Sequence, residues 1–246
     1  MIFLRITEPD VTLTDYALAL EGIIFLVLLQ RGRADPWGLR SWFSLFFASV
    51  IAASLCGGTV HGFFLDEQTQ GHTILWPTTL FSLGVTAISA WMIGAKLLFS
   101  IRVARYVLVL AILQFVFYSI AVLFRTEEFG VAILNNLLAI GFLIIAIGWA
   151  YLREKQRGLL LVAVGLTLNL AAGLQQQIET GIHSVYFNHN ALYHVLQAIA
   201  LYLFFLGSRQ ADLRKKGSSR RRSHGNPTKN FPNRRVVENS FRRAPC

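Results

Sequence analysis

The chain has 246 residues, 54% of them hydrophobic, and its apolar residues come in long blocks rather than at amphipathic spacing, which excludes a single soluble domain. Its formal net charge of +10 resides wholly in Ser208–Cys246, where twelve Lys/Arg face only Asp212 and Glu238, so the preceding residues are formally neutral. With only Phe231 and Phe241 as aromatics in that basic stretch, no nucleic-acid partner is expected.

Taken in order, the chain opens with Arg5 followed by Glu8, Asp10 and Asp15, and Glu21 interrupts the first apolar run. That is a poor signal peptide, so the first block reads as a retained span. A bilayer core about 30 Å thick needs roughly 20 residues of helix. Seven blocks qualify, at 14–30, 41–64, 78–99, 107–124, 131–151, 159–178 and 191–207. The intervals are short: 31–40 carries Asp35-Pro36 and Gly38 as turn punctuation, 65–77 is polar and ends in Pro77, and 125–130 and 152–158 are charged. Such connections imply antiparallel neighbours in one bundle, an all-α fold of seven transmembrane helices. Recurrent small residues, among them Gly57 and Gly58 in the second span and Gly165 and Gly173 in the sixth, permit close helix approach in lipid.

Orientation follows from the loop cations. Arg31, Arg33, Arg40, Arg102, Arg105, Arg153, Lys155 and Arg157 share one side with the basic tail, whereas the other side holds only Arg5 and Arg125 against seven acids. The positive-inside bias puts the N-terminus out and the C-terminus in the cytoplasm. Residues 208–246 are poor in aliphatic side chains and read as a disordered cytoplasmic tail that gains from anionic lipid headgroups. Cys56 and Cys246 are far apart in sequence, and no structural disulfide is expected.

Chemistry gathers at the outer side. Five of the six histidines, His61, His72, His183, His189 and His194, fall there. His61 ends the second span with Asp66 and Glu67 just beyond, and Asn190 and His194 share a face in the first turns of the seventh, with Gln197 a turn further along. Asp15, Glu21, Asn135, Asn136, Asn169 and Gln175–Gln177 add polarity at a similar level. Polar side chains are costly in hydrocarbon unless they face the bundle interior, so a polar outer cavity is expected. Imidazole nitrogens suit zinc, yet a histidine at a helix end also serves as a plain interfacial residue, and Asn190 can be a helix-entrance hydrogen bonder.

The run Ser54-Leu55-Cys56-Gly57-Gly58-Thr59-Val60-His61 followed by Asp66-Glu67, with Asn190-Ala191-Leu192-Tyr193-His194, resembles the CREST superfamily of seven-span membrane proteins, which includes alkaline ceramidases and the progestin and adiponectin receptors. The second element looks like the ceramidases' His-Ala-Leu-Trp-His pair, with Asn190 at the first histidine. Ser54 lies seven residues before His61, and His72 stands where the family carries an acid. The resemblance implies a seven-helix bundle that holds Zn2+ and activates water against a lipid amide or ester. His61 and His194 would be metal ligands, with Asn190, His189 or His72 completing the set. Asp66, Glu67 and Ser54 would form the catalytic group. The partners expected are the bilayer, a lipid substrate and anionic headgroups. The rival reading is a non-enzymatic bundle that binds lipid or a small molecule, or acts as a scaffold, having lost the metal site. A retinal protein would need a lysine in its last span, and the only spanning lysine is Lys96 in the third. The motifs of G-protein-coupled receptors are absent, and a transporter finds no helix-breaking proline within the spans.

Overall fold

The computed structural model describes residues 6–30, 37–183 and 186–224, with side chains described up to Gln210. Seven helices are long and apolar enough to cross a membrane. They are α1 (Pro9–Gln30), α2 (Leu39–Phe63), α3 (Gln70–Leu98), α4 (Ile101–Phe124), α5 (Phe129–Glu154), α6 (Arg157–Gln177) and α7 (His189–His224). All seven expected spans are present, and the differences lie at their ends.

Two intervals read as loops are helical. α3 has 29 residues, about 44 Å at 1.5 Å per residue, which exceeds the hydrocarbon thickness. Its first turns, read as a polar connection, are helical, and Pro77 lies inside the helix, against the expectation of no proline within a span. Thr69 starts it, its hydroxyl accepting from the His72 amide at 3.2 Å. Likewise Arg102 and Arg105 occupy the first turns of α4 instead of a connection. α7 continues past Gly207 to His224. The Asp35-Pro36 turn, Phe231, Phe241 and Cys246 lie outside the described residues.

Six helices close a ring in the order α1, α2, α3, α5, α6, α7 and back to α1, and α4 packs outside it against α3. A cluster of Phe25, Phe43, Phe46, Phe47, Phe204 and Phe205 fills the half of the ring remote from the start of α1, with Phe25 stacked on Phe205 at 4.3 Å. On α6 and α7 glycine brings backbones together: a Cβ on Gly165 would lie 2.6 Å from the Ala200 carbonyl oxygen, and one on Gly207 2.4 Å from that of Gly158. Gly173 differs, with nothing within 4 Å of an added Cβ. It borders a cavity. Outside the ring, the Gln114 amide of α4 accepts from Trp91 of α3 at 2.9 Å and donates to the Asn135 side chain of α5 at 2.8 Å, tying three helices by hydrogen bonds that lipid cannot replace.

Candidate functional site

The site forms where α1 begins. The chain entering α1 docks on the end of α2, with the Thr7 amide donating to the Gly62 carbonyl at 3.0 Å and the Glu8 amide to that of His61 at 3.2 Å. The two helices then run close because α2 offers glycine. A Cβ on Gly58 would lie 2.8 Å from the Cβ of Asp15, one on Gly57 3.4 Å from its Oδ2, and one on Gly62 3.1 Å from Thr12. This contact carries Asp15, an acid in the middle of an apolar run, into the ring interior, where it is 4% exposed.

Around Asp15 the structure assembles residues from three helices. Ser54 of α2, 5% exposed, lines the same chamber as Asp15. His194 of α7, 8% exposed, places Nε2 3.4 Å from Asp15 Oδ1. Its Nδ1 lies 3.2 Å from the Thr14 hydroxyl. Thr14 Oγ1 is also within 2.8 Å of the Asp10 carbonyl and 3.0 Å of that of Val11, which take its single proton. The Thr14 hydroxyl and Nδ1 are within hydrogen-bond reach, and Nε2 faces the Asp15 carboxyl. His61 presents Nδ1 to Glu8 Oε2 at 2.5 Å. At the α7 entrance Asn188 caps the helix by accepting from the Ala191 amide at 3.0 Å, and the Asn190 oxygen accepts from Gln176 at 3.2 Å.

Two cavities adjoin this cluster. A chamber of about 120 Å³, its exposed lining mostly apolar, brings together Asp15, Ser54, His61, Asn190, His194 and Gln197 and is bordered by Trp76, Phe129 and Tyr193. A cavity of about 500 Å³, mostly apolar, lies deeper between α2, α3, α5, α6 and α7. The two share Val50, Leu83, Phe129, Tyr193 and Gln197 as walls. The apolar cavity reaches the bundle surface between α5 and α6, where Leu137, Thr167, Ala171 and Leu174 are exposed.

Of the residues singled out in the sequence, the chamber gathers Ser54, His61, Asn190 and His194, and does not gather Asp66, Glu67, His72 or His189. Asp66 accepts from the Gln68 amide at 3.0 Å in the turn before α3. Glu67 and His72 line a separate vestibule. His189 opens α7, five residues and so well round the helix from His194. Glu8 and Thr14, which orient the two imidazoles, carry no sequence signal, because their roles depend on how α1 docks. Asp15 has one, being an ionisable residue in a span; its contact with His194 does not show in the sequence.

The donor set can be compared with what zinc needs. Each histidine has Nδ1 engaged by a protein partner, the usual way a ligand imidazole is oriented. Zinc also requires three or four converging donors. Among the described residues no group of three or more His, Cys, Asp or Glu side chains could hold a metal ion, so the chamber as arranged does not fit it.

A family of unknown function, DUF6962, matches residues 11–213. The chain belongs to this DUF6962 family. No curated protein and no solved structure matches it. The DUF6962 match takes in every residue lining the chamber and the apolar cavity, and begins after Glu8.

Proposed function

We propose that this DUF6962 member binds a single-chain amphiphile inside the membrane, the polar group in the Asp15/His194 chamber and the hydrocarbon chain in the apolar cavity. The observation that carries the reading is the common wall of the two cavities. Five residues line both spaces, so the two adjoin, and a molecule spanning them needs only those side chains to give way. Buried Asp15, Ser54, His194 and Gln197 supply the convergent polar groups that fix a ligand's orientation, and the gap between α5 and α6 gives access from the bilayer. The excess of cations at the opposite end favours the outer half of the membrane for the chamber. The test is mass spectrometry of lipid retained by the full chain purified in maltoside. A single-chain species at near-equal ratio to protein, lost in the cavity-filling Gly173→Leu variant, is expected. No retained amphiphile, together with no uptake of an added photoreactive C16 probe, would refute the reading.

A second reading is favoured by the two oriented histidines: hydrolysis of a lipid amide or ester in the same chamber, as the ceramidase-like pattern implies. In that reading Asp15 and His194, 3.4 Å apart, are the residues placed to move a proton to or from a bound substrate, with Ser54 beside them in the chamber. Zinc held by His61 and His194 would need a third donor that the chamber as arranged does not bring into reach. Elemental analysis of purified protein, with His61→Ala and His194→Ala beside it, tests the metal. Near-stoichiometric zinc lost in both variants supports the reading. Metal-free protein that releases no fatty acid from any C16 amide or ester removes it.

A further inference from the structure

The chamber has a second neighbour toward the start of the bundle. A vestibule of about 620 Å³ is lined by Glu67 and His72 from the α2–α3 end, Glu127 and Glu128 from the α4–α5 connection, and Trp76. Trp76, His61 and Phe129 line both the vestibule and the chamber, so the two spaces meet at the indole. That indole is held in place. Its Nε1 donates to the Glu127 carbonyl at 2.8 Å, His72 stacks on it at 6.2 Å and 28°, His61 meets it edge-on at 6.2 Å, and the Phe129 ring lies 6.3 Å away. A ring fixed on so many sides is a wall, and its π face favours a cation.

The formally charged residues of the vestibule lining are all acidic: Glu67, Glu127 and Glu128 are exposed and form no ion pair among the described residues, Glu127 also presenting its carbonyl to Trp76, and His61 and His72 are the other titratable groups. Arg125, the cation of the α4–α5 connection, is not part of the lining. The chamber beyond contributes Asp15 and no Lys or Arg. Three spaces thus lie in line: an acidic, aromatic-walled vestibule, the Asp15/His194 chamber, and an apolar cavity.

We propose that the vestibule selects amphiphiles whose headgroup carries a positive charge, a protonated amine or a quaternary ammonium, against neutral or anionic heads on the same chain. The inference rests on the amphiphile-binding reading and deepens it. The carboxylates attract the cation by long-range field and the Trp76 ring, at the boundary of vestibule and chamber, receives it after partial desolvation, while the chain, admitted between α5 and α6, lies in the apolar cavity. An anionic head would meet three like charges and no cation. A neutral head would enter with neither gain nor penalty.

The test uses the full chain in maltoside micelles, whose headgroup is uncharged, with three photoreactive C16 probes ending in trimethylammonium, hydroxyl and carboxylate. Crosslinked protein is quantified by intact mass. The ammonium probe is expected to label at concentrations on the order of tenfold lower than the hydroxyl probe, and the carboxylate probe most weakly. In the Glu67→Gln/Glu127→Gln/Glu128→Gln variant the ammonium preference should fall to the level of the hydroxyl probe while hydroxyl labelling is unchanged, which also reports that the bundle is intact. Raised salt should reduce the preference in wild type and not in the variant. Equal labelling by ammonium and hydroxyl probes, or a preference that survives in the triple variant, would overturn the inference and leave amphiphile binding standing. Absence of labelling by all three probes, or labelling that Gly173→Leu does not reduce, would instead remove the reading on which it rests.

Discussion

Replacing Gly58 by alanine isolates the contact that places Asp15. The new Cβ would sit 2.8 Å from the Asp15 Cβ and 3.2 Å from two Tyr16 ring carbons. Carbon pairs need about 3.5 Å, so the site is short by about 0.7 Å, and no flexible side-chain end is available to give way. Either α1 moves off α2 or Asp15 shifts bodily. Overpacking of this kind costs about 1–3 kcal/mol, an apparent Tm lower by roughly 2–12 °C for a chain of this size. Since Asp15 Oδ1 is already 3.4 Å from His194 Nε2, a shift of that order breaks the contact and enlarges the chamber. Gly141→Ala is the matched control. Nothing lies within 4 Å of its added Cβ, and the exchange should be neutral or stabilising by up to about 1 kcal/mol through helix propensity. Thermal unfolding in maltoside and C16-probe labelling are measured on both. If Gly58→Ala unfolds and labels as Gly141→Ala does, glycine packing does not set the position of Asp15 and the reasoning fails.

Three further outcomes are expected. His194→Ala leaves buried Asp15 without its imidazole partner and should cost about 1–3 kcal/mol, whereas Asp15→Asn combined with it should recover part of that loss; additive single effects in the cycle would show that the 3.4 Å contact contributes nothing. Gln114→Leu should destabilise by about 1–2 kcal/mol, because the Trp91 Nε1–H and the Asn135 side chain both lose their partner on α4; chemical unfolding identical to wild type would make the network dispensable. Cys246 should resist an impermeant thiol reagent in intact cells and react after permeabilisation; ready labelling from outside would reverse the orientation drawn from loop cations.

How much of the site could be read from the chain depends on the residue. His61 and His194 line one chamber, as their positions at span ends required, and Asp15, Asn190 and Gln197 join them there as the cost of leaving such groups in hydrocarbon demands. The ligand and proton partners did not follow. Asp66 lies close to His61 in sequence but is spent on the turn before α3, while Asp15, 46 residues before His61, reaches the chamber. Proximity along the chain was a poor guide because helices exchange neighbours laterally, and which acid meets which histidine is set by packing between α1, α2 and α7.

What the sequence determined by itself is the seven-helix bundle. Backbone polar groups in hydrocarbon must be satisfied within each segment, so an apolar block of sufficient length has to be helical whatever surrounds it. Helix ends were less determined, as the polar first turns of α3 show, since outside the hydrocarbon that compulsion lapses. The tertiary structure alone decided that α4 stands outside the ring, that Gly57, Gly58 and Gly62 let Asp15 pass into its interior, and that the Asp15/His194 chamber shares walls with an apolar cavity and an acidic vestibule. Lipid favours no particular helix pairing by burial, so pairing comes from close-fitting surfaces and interhelical hydrogen bonds. Those are properties of two helices together.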